Sequence, residues 1–363
     1  MTGRSSDSIQ KSFLRYQHVF VFAAPVVFVA AVLMFAPIQG DGSLGYWTDY
    51  WWLFPFFLLG ATIVNTVGIS GSALFVPFLI FVFPILAGQT LKPVTLVKIG
   101  LISESFGLSS SALAFVQYGL VDRRLALSLV GGAIPFVIAG AVLSFFIPEP
   151  IFQLLLGLAL LASSVLLLKA DIGHEDPGAS EEGSVATATD GGADLPNDDN
   201  KLGPAGVATD GGGNVTRVDR DGNDYGYTRG GYLERFANYS VGGVFQGLAG
   251  FGIGELGIIS MLRTKVPVKV AIGTNHIVVA LTAVLASLVH VFGGSFIPGA
   301  HEISIASTPW NMVIWTVPAT VTGGQIAPYV ASALDTDTIK KGVAALFAII
   351  STALFVIGSG GLF

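Results

Sequence analysis

Apolar runs about as long as a lipid bilayer is thick recur along most of this chain, and they limit its possible folds more than any other feature. A helix needs roughly 20 residues to cross about 30 Å of hydrocarbon. Runs near that length occupy 18–37, 51–69, 72–87, 93–116, 124–147, 150–169, 268–293, 309–330 and 338–360. Only helices and closed barrels satisfy every backbone polar group in lipid, and runs this long predict helices. Composition agrees: 12% of the 363 residues are charged, about half the ~25% of a soluble domain. The expected fold class is an all-α polytopic membrane protein whose constant partner is the lipid bilayer. The basic stretch 1–17 before the first run resembles a signal peptide. That run is full-length and lacks a convincing cleavage site, so it is read as a retained helix.

The chain has no cysteine, which removes disulfide and thiolate–metal chemistry, and its five histidines show no metal-ligand spacing. No metal, cofactor or catalytic residue is expected. The net charge of −6 is concentrated in 170–232, where 13 Asp/Glu face 4 Lys/Arg and large apolar residues are nearly absent. Such a segment cannot bury enough surface to fold alone, so it reads as a disordered acidic linker. The Asn214-Val-Thr216 sequon lies in it and reads as cytoplasmic, outside the reach of glycosylation.

The linker separates two similar halves. "LKPVTLVKIGLISESFGLSSSALAF" (91–115) aligns without gaps on "VKVAIGTNHIVVALTAVLASLVHVF" (268–292). Pro135-x4-Gly140 matches Pro318-x4-Gly323, and "VGISGSALFVPFLI" (67–80) matches "FGIGELGIISMLRT" (251–264). Three matches in one order indicate an internal repeat. The domain reading is 1–50 (N-terminal tail, first helix and outer loop), 51–169 (first repeat), 170–232 (linker) and 233–363 (second repeat).

Orientation follows the Lys/Arg bias of short loops. With the N-terminus inside, loops 1–17, 117–124, 262–269 and 331–341 hold ten Lys/Arg, and the outer loops hold Lys92 alone. The linker is then cytoplasmic and the C-terminus outside. Residues 233–262 start and finish on one side, yet 30 residues are too few for two crossings. They are expected to dip in and return as two half-helices. Residues 51–87 enter and leave on the outer side, as two passes or as a re-entrant hairpin, so each repeat has a Gly-rich broken or re-entrant helix followed by three transmembrane helices. The two repeats have inverted topology, and one extra helix precedes them.

Inverted repeats with broken helices mark secondary transporters with a midplane site. A returning half-helix puts unpaired N–H groups and its positive dipole end in mid-membrane, which suits an anion. The candidate cradle comprises Gly68, Ser70, Gly71 and Ser72 of the first turn with Gly252, Gly254 and Glu255 of the second. Packing of helices is the competing role for the glycines, most of all Gly242, Gly243, Gly247 and Gly257.

The paired "VGISGSALFVPFL" and "AGFGIGELGIISML", followed by "VAIGTN", resemble the TauE/SafE permease family, also described as sulfite exporters or toluene-sulfonate uptake permeases. The resemblance covers about 51–169 and 233–360. It implies transport of small sulfur-containing anions such as sulfite, thiosulfate or organosulfonates across the cell membrane, in an ion- or proton-coupled manner. The sequence departs from the family pattern at Glu255, Met261 and Asn275.

Several buried polar residues carry two readings each. Lys98 either snorkels to the outer interface or attracts anions. Glu104, at the centre of its helix, is a proton site or a hydrogen-bonded structural carboxyl. Glu255 is a helix cap or, protonated with substrate, a second coupling group. Thr274, Asn275 and His276 either contact oxyanion oxygens or make ordinary interhelical hydrogen bonds. Gly252-x-Gly254-x-x-Gly257 matches a nucleotide-binding pattern, but no βαβ unit surrounds it, and no nucleic acid is expected as a partner. The rival readings are a passive anion channel of the same fold and a rhomboid-like serine protease. The latter would pair Ser70, in Gly-x-Ser-Gly, with His276 or His290.

Overall fold

The computed structural model describes residues 16–38, 42–169, 207–209, 214–218, 224–296, 301–333 and 336–360. The first helix, α1 (Gln17–Phe35), is followed by a short α2 (Leu44–Thr48). The first half then comprises α3 (Leu53–Val67), α4 (Ser72–Phe81), α5 (Phe83–Ala87), α6 (Pro93–Gln117), α7 (Arg123–Leu143) and α8 (Glu149–Lys169). The second half comprises α9 (Tyr232–Ala249), α10 (Ile253–Arg263), α11 (Val268–Phe292), α12 (Trp310–Ala333) and α13 (Thr336–Gly360). Among the described residues, seven helical segments are long and apolar enough to cross a membrane. The protein is an all-α polytopic membrane protein, with one small sheet outside the helices.

The expected run 72–87 is split between α4 and α5. Pro84 follows Phe83 at the start of α5 and cannot supply the N–H that would continue a helix. Between α11 and α12, turns of 3₁₀ helix at Gly293–Ser295, His301–Ile303 and Ile305–Ser307 replace a plain loop.

Packing exchanges elements between the halves. Helix α3 lies against α12 and α9 against α7, while α6 pairs with α11 and α8 with α13. The glycines matched in the two Pro-x4-Gly segments do the same work in the two halves. A Cβ on Gly140 would sit 2.0 Å from the Val244 carbonyl oxygen on α9. One on Gly323 would sit 2.7 Å from the Leu58 oxygen on α3. At each crossing the backbones approach too closely for any side chain. Large apolar side chains such as Val26, Val27, Met34 and Phe35 stay exposed along α1, which is the surface a lipid-embedded helix requires.

The linker departs from expectation. Residues 170–206 lie outside the described residues, but β1 (Val207–Thr209), β2 (Asn214–Val218) and β3 (Asp224–Thr228) form an antiparallel meander. Composition measures only the surface a segment can bury by itself. The meander buries Val215, Tyr225 and Tyr227 and binds the loop that joins α6 to α7. Arg217 donates to the Gly119 carbonyl at 2.9 Å. Arg229 grips Asp122 with two nitrogens at 2.8 and 3.1 Å, and the Tyr227 hydroxyl donates to the same carboxylate at 2.7 Å. Asp122 also caps α7 through the Leu125 amide, and its own N–H reaches Thr274 of α11.

Burial disfavours the Asp122 charge. Arg229, the Leu125 amide and the Tyr227 hydroxyl outweigh that and hold its carboxyl below the usual carboxylate range. Because the folded value is depressed, the stability this cluster contributes is fully present above about pH 4 and is lost as pH falls through the folded value. Arg229→Gln leaves a buried carboxylate without its cation. It should cost about 3 kcal/mol near neutral pH, read as a fall of several degrees in melting temperature. The gap from wild type should narrow as pH is lowered toward about 3. Equal melting temperatures at neutral pH would contradict the docking of the meander.

Candidate functional site: two helix breaks in contact

Both glycine-rich stretches break their helices, and the breaks meet. Helix α3 ends at Gly68, whose φ of 77° is left-handed, and α4 starts four residues later. Helix α9 ends at Gly250, and Gly252 takes a φ of 117° before α10 begins. Glycine adopts such angles without the clash a Cβ would bring. A Cβ on Gly254 would lie 2.7 Å from Ser70 Oγ and 2.9 Å from Ser70 N, so the two turns are in direct contact.

Asn275 of α11 ties them together. Its side-chain amide donates to the Gly68 carbonyl at 3.1 Å and the Gly254 carbonyl at 2.7 Å. Its oxygen accepts from the Tyr239 hydroxyl at 2.8 Å. One buried side chain thus reaches carbonyls from both breaks, and the one on Gly68 lies at the end of α3, where the helix ladder stops.

The amides at the breaks are taken by the protein's own carboxylates. Glu255 accepts from the Gly252 N–H at 2.8 Å, capping its own helix, and from the Ser70 N–H at 3.2 Å. The Ser70 hydroxyl lies 3.3 Å from it. Glu104, on α6, accepts the Ser72 N–H at 3.1 Å and the Ser72 hydroxyl. Gln246 of α9 stands between the two acids. Its Nε2 is 3.5 Å from Glu104 Oε1, and its Oε1 is 3.4 Å from Ser70 Oγ. Both carboxylates are almost wholly buried, and among the described residues neither has an ion-pair partner. Beside Glu104 is a cavity of about 10 Å³ accessible volume, lined in part by Asn65, Gly71, Phe75 and Thr320. That is room for about one water.

The structure therefore gathers Gly68, Ser70, Gly71, Ser72, Gly252, Gly254, Glu255, Asn275 and Glu104. It sets the other candidates apart. Lys98 donates to Ser307 Oγ at 2.8 Å and the Ser304 carbonyl at 3.2 Å, fastening the 3₁₀ segment between α11 and α12. Thr274 serves the Asp122 loop. His276 packs against Phe115 with the rings tilted by 59° and their centroids 4.8 Å apart, and neither of its nitrogens has a hydrogen-bond partner among the described residues. His290 Nε2 meets the Gly247 carbonyl, and neither histidine bonds Ser70. Gln246, Tyr239 and Asn65 belong to the cluster as well. Asn65 and Gln246 stand in otherwise apolar stretches just ahead of the turns. Nothing in the sequence sets Tyr239 apart from a core tyrosine.

Fold and site together define a polytopic helical membrane protein in which two helix breaks meet in the interior. The profile of the sulfite exporter TauE/SafE family matches residues 52–354, from the start of α3 to well inside α13. The chain belongs to that family. No curated relative and no solved structure matches it.

Asn275→Ala would take away the partner of the Tyr239 hydroxyl and of the Gly68 carbonyl at the end of α3. At ~1–3 kcal/mol for each buried group left unpaired, several degrees should be lost from the melting temperature. Tyr239→Phe, which removes one bond only, should lose less. A neutral Asn275→Ala would show that the tie is dispensable.

Proposed function

We propose that the protein is a secondary transporter that moves small sulfur-containing anions such as sulfite, thiosulfate or organosulfonates, coupled to an ion or a proton. Substrate binds where the two breaks meet. The observation that carries this reading is the array of donors at the start of α4. Ser70 N–H, Ser72 N–H and both serine hydroxyls already hold carboxylate oxygens, and an oxyanion presents the same acceptor geometry. A helix N-terminus adds its dipole.

The two halves form inverted repeats on this reading. At 1.5 Å per residue, α4 with 10 residues and α10 with 11 reach only about 15–17 Å, half the hydrocarbon thickness. They are the returning arms of re-entrant hairpins whose turns lie near the midplane. The exchanged packing of α3 on α12 and α9 on α7 is what a pseudo-two-fold axis produces. The N-terminus and the 170–232 linker are cytoplasmic and the C-terminus is outside. Asp122 and the meander then sit on the cytoplasmic side, and the Lys98-bound 3₁₀ segment on the outer side.

Proteoliposomes holding the full chain should take up radiolabelled thiosulfate faster than empty vesicles, and Gly254→Val should abolish uptake. Failure of the wild type to move thiosulfate, sulfite or methanesulfonate would overturn the substrate class. Downhill flux with no dependence on any ion gradient would convert the carrier into a channel. The cysteine-free chain also permits a direct topology test. A cysteine at exposed Ser295 should label from outside intact cells, and one at exposed Lys265 only after permeabilisation. The reverse pattern would contradict the orientation.

A further inference from the structure

The donors at the start of α4 cannot hold a substrate oxyanion and the Glu104 carboxylate together. We infer that Glu104 is a movable plug. Ionised, it occupies the Ser72 N–H and hydroxyl; protonated, it turns into the adjoining cavity and donates to Asn65 Oδ1, leaving the Ser72 donors to the anion. The anion-binding half of this inference rests on the function proposed above.

Two observations give Glu104 somewhere to go. The cavity lies between its carboxyl and α3, and Asn65 and Thr320 are its other polar walls. Asn65 is 3% exposed, its Nδ2 is spent on the Ala61 carbonyl, and its Oδ1 has no hydrogen-bond partner among the described residues. A buried carbonyl oxygen without a donor is costly. For a direct contact, a carboxylic acid is the one form of the neighbouring group that can supply the donor. An ionised carboxylate has only acceptors and cannot.

Glu255 has no such alternative. It is held by two backbone N–H groups, Gly252 and Ser70, and serves as a fixed cap on its own helix. The plug also occurs in one half only. The alignment that matches the two halves puts Leu281 at the place of Glu104 and Ala249 at that of Asn65, so the device is single.

The charges around Glu104 leave it isolated. From α10, Glu255 is the one ionisable side chain that acts on it electrostatically. Helices α4, α9, α3 and α12 present Ser72, Gln246, Asn65 and Thr320 to this site, all neutral. On α11, His276 faces Phe115, His290 bonds Gly247, and Lys269 is exposed. His18 of α1 is exposed, and Lys98 on α6 itself is bound to Ser304 and Ser307.

The proton balance follows. One proton adds to the Glu104 carboxylate, one oxyanion replaces it on the Ser72 donors, and one proton is taken up per anion bound. A monovalent anion then travels with its proton as a neutral pair, and the carrier is a symporter. Affinity should rise about tenfold for each pH unit of acidification above the Glu104 midpoint.

The test has two arms. In the first, infrared difference spectra of the full chain in nanodiscs are recorded between about pH 5 and 9, without ligand. A protonated-carboxyl band should be absent from Glu104→Gln, shifted in Asn65→Leu and retained in Glu255→Gln. A band that persists unchanged in Glu104→Gln, or is indifferent to Asn65→Leu, overturns the plug. In the second, calorimetry with thiosulfate in buffers of different ionisation enthalpy should give about one proton taken up per anion by the wild type. Both proteins are measured at a pH above the Glu104 midpoint found in the first arm, where Glu104→Gln should bind with none. Equal uptake by the two proteins also overturns the plug. A wild type that binds no sulfur anion but keeps the assigned band instead overturns the substrate class, and the movement of Glu104 stands.

Discussion

Backbone amides at membrane depth must find partners within the protein, because lipid offers none and each unpaired group costs several kcal/mol. Breaking two helices inside the molecule exposes such groups in quantity, and everything at the centre of this structure answers to that. Asn275 supplies the donors for two turn carbonyls. Glu255 and Glu104 supply acceptors for the amides of Gly252, Ser70 and Ser72. The close glycine crossings at Gly140 and Gly323 bring the supporting helices near enough to hold these partners in place. A protein that keeps its breaks under this constraint has bare donors to offer to something else whenever a carboxylate leaves.

Much of this was legible in the sequence. Hydropathy places the helices because lipid imposes one length and one polarity on every span, so 93–116 and 268–293 coincide closely with α6 and α11. The glycine clusters marked both breaks, and the carboxylates stood out because charge is rare in such a composition. Asn275 and Glu104 were recognisable as candidates for the same reason: a polar residue inside a long apolar run needs a partner or a task.

What the sequence concealed depends on contacts between distant segments. The carbonyls served by Asn275 lie 207 and 21 positions away, and no local pattern pairs them. Lys98 looked equally suited to the anion site, yet its chain runs to Ser307. The strands at 207–209, 214–218 and 224–228 were not legible in the acidic linker, because composition measures what a segment can bury by itself. Tyr227 and Arg229 instead close on Asp122, more than 100 residues earlier. That contact couples the linker to Thr274 and so to the helix that carries Asn275.

On the proposed function, the meeting point of the two breaks is an anion site held, when no substrate is bound, by the protein's own carboxylates. The most direct measurement is a cryo-electron microscopy map of the full chain in nanodiscs with saturating thiosulfate at mildly acidic pH. Density for the anion is expected within hydrogen-bonding distance of the Ser72 amide and hydroxyl, with Glu104 turned away from Ser72 and Glu255 still on the Ser70 and Gly252 amides. An ordered anion elsewhere in the protein, with both carboxylates still on their amides, would contradict that function.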